Sequence, residues 1–165
     1  MKHILYISNN KDKIEKVLGI VFWIAIITLI ATHVLIKPLK DLDEIWNYNF
    51  SKNILEGKLP YKDFNIIITP LVPYIGAVFL GFFGNEMISM RIFAIIVDFL
   101  ILFFSYKILI KIKVEKNLAK VILVGLIYIL QTHFRIDYNF FSLLLILAII
   151  YFEIKNIEEQ NYKIN

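Results

Sequence analysis

The amino-acid sequence predicts an all-α integral membrane protein: about four transmembrane helices, an outer juxtamembrane helix and a re-entrant or interfacial helix. Three observations predict it. Of the 165 residues, 59% are hydrophobic and fourteen are Phe, with a mean hydropathy of +0.69, too apolar for a chain whose surface must be mostly polar. The apolar residues collect in runs long enough to cross a bilayer, and lysines collect between those runs. The one long uncharged stretch that does not suit a crossing contains two prolines. The length fits a single membrane domain over 1–165, one small bundle without an added soluble domain.

The charge and the composition exclude other classes. The formal net charge of +4 comes from lysines grouped between apolar runs, a pattern that suits anionic lipid headgroups and not nucleic acid. No basic helix interleaved with stacking aromatics lies outside the apolar runs. The absence of cysteine removes disulfide frameworks and thiolate chemistry.

Taken in order, residues 1–16 carry Lys2, Lys11, Lys13 and Lys16, and Val17 to Ile36 then runs without a formal charge, about 30 Å as a helix and one full span. A cleaved signal peptide is the competing reading. The run is long for one, and ATHVLIKP offers no small-x-small cleavage site, so an uncleaved anchor is expected.

An outer loop with juxtamembrane helices follows over 37–90. Its polar interval, Asp41 to Pro73, holds five of the fourteen carboxylates. Asp41, Asp43 and Glu44 precede a helical stripe of Trp46, Phe50 and Ile54. Gly57 and Pro60 end that helix. Tyr48 and Leu55 project from its other side, so it should pack on two surfaces. Asp41 and Glu44 fit the N-cap and N3 positions of a capping box.

Hydropathy alone would make Phe64 to Asn85 a second span. Pro70 and Pro73 bias the preceding residues away from helix and lack N–H donors. That leaves Tyr74 to Phe83, about 15 Å, half of a bilayer, as a re-entrant or interfacial segment. Further spans are expected over 91–110, 118–134 and 138–154. If 64–85 does not cross, the N-terminal lysines, the loop Lys107, Lys111, Lys113, Lys116, Lys120 and the tail all lie inside, eleven of the eighteen basic residues. If it crosses, the number inside falls to six. The positive-inside bias therefore favours four spans in a cell-membrane protein with both termini cytoplasmic and the functional loop on the outer face. Arg135-Ile-Asp137-Tyr-Asn139 then shares that outer face with Asp43.

Carboxylates are the remaining chemistry. There is no Gly-rich phosphate loop, no His or Cys cluster with metal-ligand spacing, and no serine set near both a histidine and an acid. An outer carboxylate beside a membrane that supplies a lipid substrate can take a proton from an acceptor hydroxyl while cations stabilise a leaving phosphate. Each candidate has a plainer role. Acids near a helix start favour its dipole, Asp137 marks a water-exposed loop, and Asp63 suits a turn. Arg91 can bind a lipid phosphate or snorkel to the interface. Asp98, deep in the second span, must face the bundle interior or be neutral. His33 and His133 suit interfacial polar groups.

The ordered set Asp43-Glu44, Gly57-Lys-Leu-Pro60-Tyr61-Lys-Asp63-Phe64, Pro70, Pro73, Phe83-Gly84 and Arg91 resembles the N-terminal region of the GT-C class of membrane glycosyltransferases, which includes dolichyl-phosphate-mannose protein mannosyltransferases and aminoarabinose transferases. The resemblance runs from the first span through Asp137. It implies that Asp43 matches the catalytic aspartate, Glu44 its neighbour and Asp137 the second outer acid. It further implies that Arg91 or Arg135 meets the phosphate, with Tyr61 and Asp63 in the substrate-binding set. The implied donor is a polyprenyl-phosphate-linked sugar, with membrane lipids as surroundings and no nucleic acid. Some members of the class use a divalent cation such as Mg or Mn and others do not. Here the second site reads Asp137-Tyr-Asn139 with one carboxylate, so no cofactor is certain. Such enzymes have many more spans, and the chain is expected to be the N-terminal part of a larger GT-C fold, inactive without its C-terminal part. The expectation from a different class is a small non-catalytic multi-pass protein, a partner subunit or lipid-binding accessory whose acids only cap a helix.

Overall fold

The computed structural model describes residues 2–39 and 42–164, with side chains over 13–39 and 42–160. The described residues form six α-helices and no β-strand: α1 (Lys2–Ile36), α2 (Leu42–Leu55), α3 (Leu71–Phe83), α4 (Met87–Lys111), α5 (Lys116–Leu130) and α6 (Tyr138–Ile164), with one 3-10 turn at Gln131–His133. Three stretches are long and apolar enough to cross a membrane: Lys13–Ile36, Met87–Lys111 and Tyr138–Gln160. The span expected over 118–134 is a helix of 15 residues, about 22 Å against a hydrocarbon core of about 30 Å. It is shorter than expected because the chain tightens into the 3-10 turn at Gln131.

The bundle is organised on α4, against which α1, α3, α5 and α6 all pack. Its buried face runs Met90, Phe93, Ala94, Val97, Asp98, Ile101 and Leu102, a helical stripe set by the 3.6-residue period. Ile26, Ile30 and Val34 of α1 and Leu123 and Ile127 of α5 complete this core. Trp23, partly buried, packs against this core. Its ring lies edge-on to Phe99 at 5.6 Å and to Tyr106 at 5.5 Å, a geometry favoured by the aromatic quadrupole.

Two contacts define one end of the bundle, called the upper end. Arg91 Nη1 donates to the Leu35 carbonyl at 3.1 Å, bringing the start of α4 to the end of α1. Lys37 Nζ donates to the Thr132 carbonyl at 2.8 Å, adding the end of α5. The lower end holds the turn between α4 and α5, with Lys113 at φ 65°, and the Lys111–Glu158 ion pair joining α4 to α6.

Within residues 37–90 the helices differ in detail from those expected. Helix α2 ends near Gly57, whose φ of 85° is the left-handed conformation that terminates helices at glycine. It packs on two surfaces, as expected: Phe50 stacks on Phe64 at 5.9 Å, while Tyr48 donates to the Asn85 carbonyl at 3.2 Å on the other side. The Trp46, Phe50, Ile54 stripe is half-buried to exposed. The buried residues are Glu44, Asn47 and Ser51, a polar stripe in which Glu44 pairs with Arg91 of α4 while Asn47 and Ser51 bond to carbonyls of α2 itself. Asp41, expected to cap this helix with Glu44, lies outside the described residues.

Helix α3 begins at Leu71, not at Tyr74. Pro73 falls in the first turn, where the backbone N–H groups have no intrahelical acceptor, so its missing donor costs nothing. The 13 residues still span only about 20 Å, short of a crossing. At Gly76 of α3, side chains of α2 and α4 press against the backbone. A Cβ there would run into Ser51 Oγ and lie 2.9 Å from the Met90 methyl group.

Candidate functional site

The upper end gathers five charged residues from three places in the chain. Asp43 and Glu44 sit in the first turn of α2, Arg91 near the start of α4, and Arg135 and Asp137 between α5 and α6. Arg135 Nη2 lies 3.8 Å from Asp43 Oδ2 and 3.7 Å from Asp137 Oδ2. One guanidinium thus bridges the two acids nearly a hundred positions apart. At these distances the attraction is that of charges, not of short hydrogen bonds.

The two acids differ in what they can do. The Asp137 side chain is only 7% exposed, and its Oδ1 accepts the Asn139 backbone N–H at 2.7 Å. That is an N-cap bond to the first turn of α6, so one oxygen is committed to structure and the other faces Arg135. The Asp43 side chain is 33% exposed. Between them, Asp43 is the acid a substrate can reach.

Glu44 and Arg91 form a second, more buried pair. Arg91 Nε donates to Glu44 Oε1 at 2.9 Å, with the side chains 13% and 5% exposed. The same guanidinium reaches the Leu35 carbonyl. Arg91, expected to meet a phosphate, is therefore occupied by an acid of α2 and by the end of α1. Glu44, beside the candidate base in sequence, points the other way and fixes α2 on α4.

Beside Asp43 is a small cavity of about 60 Å³ bounded by Trp46, Asn47, Phe50, Ile67, Ile68 and Tyr138. It has room for about two water molecules and no sugar, so a sugar would approach Asp43 from its exposed side. Tyr61 and Asp63 act one step away from this cavity. Tyr61 Oη donates to the Ile68 carbonyl at 2.9 Å, which fixes the cavity wall. Asp63 Oδ2 accepts the Leu59 N–H at 2.8 Å, making it the turn residue its sequence context suggested. Neither is brought to Asp43 by a contact of its own among the described residues.

Sequence reasoning missed Asn47. It is buried, its Nδ2 donates to the Asp43 carbonyl at 2.8 Å, and its Oδ1 has no hydrogen-bond partner among the described residues. The signal was present as the spacing of Asp43, Asn47 and Ser51, four residues apart on one helix face. Asp98 is buried in α4 as expected, and neither of its carboxyl oxygens has a hydrogen-bond partner among the described residues. His133 stacks on Phe140 at 6.4 Å. Among the described residues no group of three or more His, Cys, Asp or Glu is placed to hold a metal ion. Comparisons with protein-family models, curated proteins and solved structures find no match to this chain.

Proposed function

We propose that the chain is the N-terminal catalytic segment of a membrane glycosyltransferase that moves a sugar from a polyprenyl-phosphate donor to an acceptor hydroxyl. The observation that carries this reading is the convergence of Asp43, Arg135 and Asp137 at one end of an apolar bundle. Asp43 takes the acceptor's proton as its oxygen bonds to the anomeric carbon. The bond from that carbon to the phosphate oxygen breaks, and the polyprenyl phosphate leaves with the electron pair. Arg135 holds the Asp43 carboxylate in place and is the cation nearest the leaving phosphate, a role that suits it better than Arg91, which Glu44 engages. Asp137 keeps Arg135 in position. In this reading four segments cross the membrane, both termini are cytoplasmic and the upper end faces outward.

Two experiments test it. Asp43→Asn, in a chain carrying whatever sequence continues it, should lower sugar transfer from a polyprenyl-phosphate donor by about a hundredfold or more, and near-wild-type transfer refutes the base. For the topology, Lys113→Cys in intact cells should resist a membrane-impermeant thiol reagent. Efficient labelling would place the lower turn outside and invert the assignment.

The second reading, a non-catalytic partner subunit or lipid-binding accessory, is favoured by one observation: Asp137 caps α6 and Glu44 is fully engaged by Arg91, so two of the three acids have structural work. Under that reading Asp43→Asn changes stability slightly and no transfer activity exists to lose.

A further inference from the structure

Helices α1 and α5 both pack on α4 but scarcely touch each other, and a groove opens between them. Its lower part, about 360 Å³, is walled by Phe22, Ala25 and Leu29 of α1 and by Val124 and Tyr128 of α5. His33 and Gln131 line this part and also the hollow above it. That upper hollow, about 510 Å³, is bounded by Thr32, Lys37 and Thr132. The walls thus change from hydrocarbon to hydrogen-bonding groups over about one helical turn. At the bottom, Lys120 lies over the Phe22 ring, 5.6 Å from its centroid.

The length and the charge of the groove identify an occupant. From Phe22 to His33 helix α1 rises about 16 Å, half of a hydrocarbon core of about 30 Å. That matches the depth of one leaflet, which an acyl chain fills and a long isoprenoid chain overruns. At the mouth, Lys37 is anchored by its bond to the Thr132 carbonyl, which sets a positive charge where a lipid headgroup would sit. Gln131 and the threonines add polar groups at the same level.

We propose that this groove is a fixed binding site for one glycerophospholipid with an anionic headgroup, its acyl chain between α1 and α5 and its phosphate at Lys37 and His33. The bound lipid closes the gap between two helices that otherwise meet only near the ends of the groove, at Lys37–Thr132 and Lys120–Phe22. The site is separate from Asp43 and stands whether or not the chain transfers sugar.

The test uses the full chain in nanodiscs of equal parts phosphatidylglycerol and phosphatidylcholine, released for native mass spectrometry. One phosphatidylglycerol should remain bound per chain. Lys37→Gln should reduce the preference for it over phosphatidylcholine about fivefold. Ala25→Trp should fill the groove and abolish retention, and Val124→Trp, from the opposite wall, should do the same should the first variant fail to fold. Ile149→Trp, on the exposed face of α6, should retain lipid as the wild type does. Equal retention of phosphatidylcholine, or undiminished retention in a folded groove-filling variant, overturns the proposal. So does displacement of the lipid by added polyprenyl phosphate, which would give the groove to the donor, or a dimer that the Trp variants dissolve, which would give it to a second copy. Asp43→Asn should leave lipid retention unchanged, so failure here and failure of the transferase reading are read separately.

Discussion

The two ends of the bundle hold similar charges under different conditions. At the upper end Glu44 and Arg91 are nearly buried and meet at 2.9 Å, with Asp43, Arg135 and Asp137 beside them. At the lower end the pairs are solvated. Lys155 and Glu159, for example, are 49% and 62% exposed and 3.6 Å apart. An exposed pair gains little from Coulomb attraction in water and loses side-chain entropy, whereas a buried pair depends on its partner to offset desolvation. The upper charges therefore fix geometry, and the lower ones chiefly mark where the chain meets water and lipid headgroups.

The largest stability effect expected from this contrast comes from Arg91→Ala. It leaves Glu44 buried without its cation, and should destabilise the fold by about 3 kcal/mol. A thermal melt in detergent measures it, and adding Glu44→Leu should recover most of the loss. If the single variant melts like the wild type, the upper pair is no more structural than the lower ones. Next in size, Gly76→Ala should cost about 1–3 kcal/mol, because its methyl group has to displace Ser51 and Met90 where α2, α3 and α4 meet. An unchanged melt would show that α2 is not wedged there.

The smallest effect lies at the lower end. The Glu115 carboxylate accepts from the backbone N–H groups of Asn117 and Leu118 at the start of α5, which holds its pKa below the usual carboxylate value. A group whose folded-state pKa is depressed stabilises the fold above its unfolded value, and that contribution disappears as pH falls through the folded one. Acid titration followed by circular dichroism should therefore show a slight loss below the ordinary carboxylate range, absent in Glu115→Gln. A wild-type titration indistinguishable from the variant's would remove the cap from the account.

Much of the architecture was legible because hydropathy and proline chemistry act locally. The long apolar runs became α1, α4 and α6, and Gly57 ended α2 as its backbone freedom required. Local rules failed where tertiary contacts decided. Pro73 was read as a break, yet it occupies the one helical turn that tolerates it. The Trp46, Phe50, Ile54 stripe marked α2 as a helix but not which residues it buries: those are Glu44, Asn47 and Ser51, with Glu44 paired to a residue 47 positions away. Loop counting brought Asp43 and Asp137 to one end. The sequence had no means of showing that Arg135 stands between them, since that depends on side-chain reach and not on periodicity.

Arg91 also reaches both the last turn of α1 and the first turn of α2. It acts as a clasp between these two helices, supplied from a helix that starts some thirty residues past the end of α2. The attitude of α2 relative to α1 is thereby dictated from α4. A substitution at Arg91 would therefore disturb two junctions at once, the end of α1 and the start of α2.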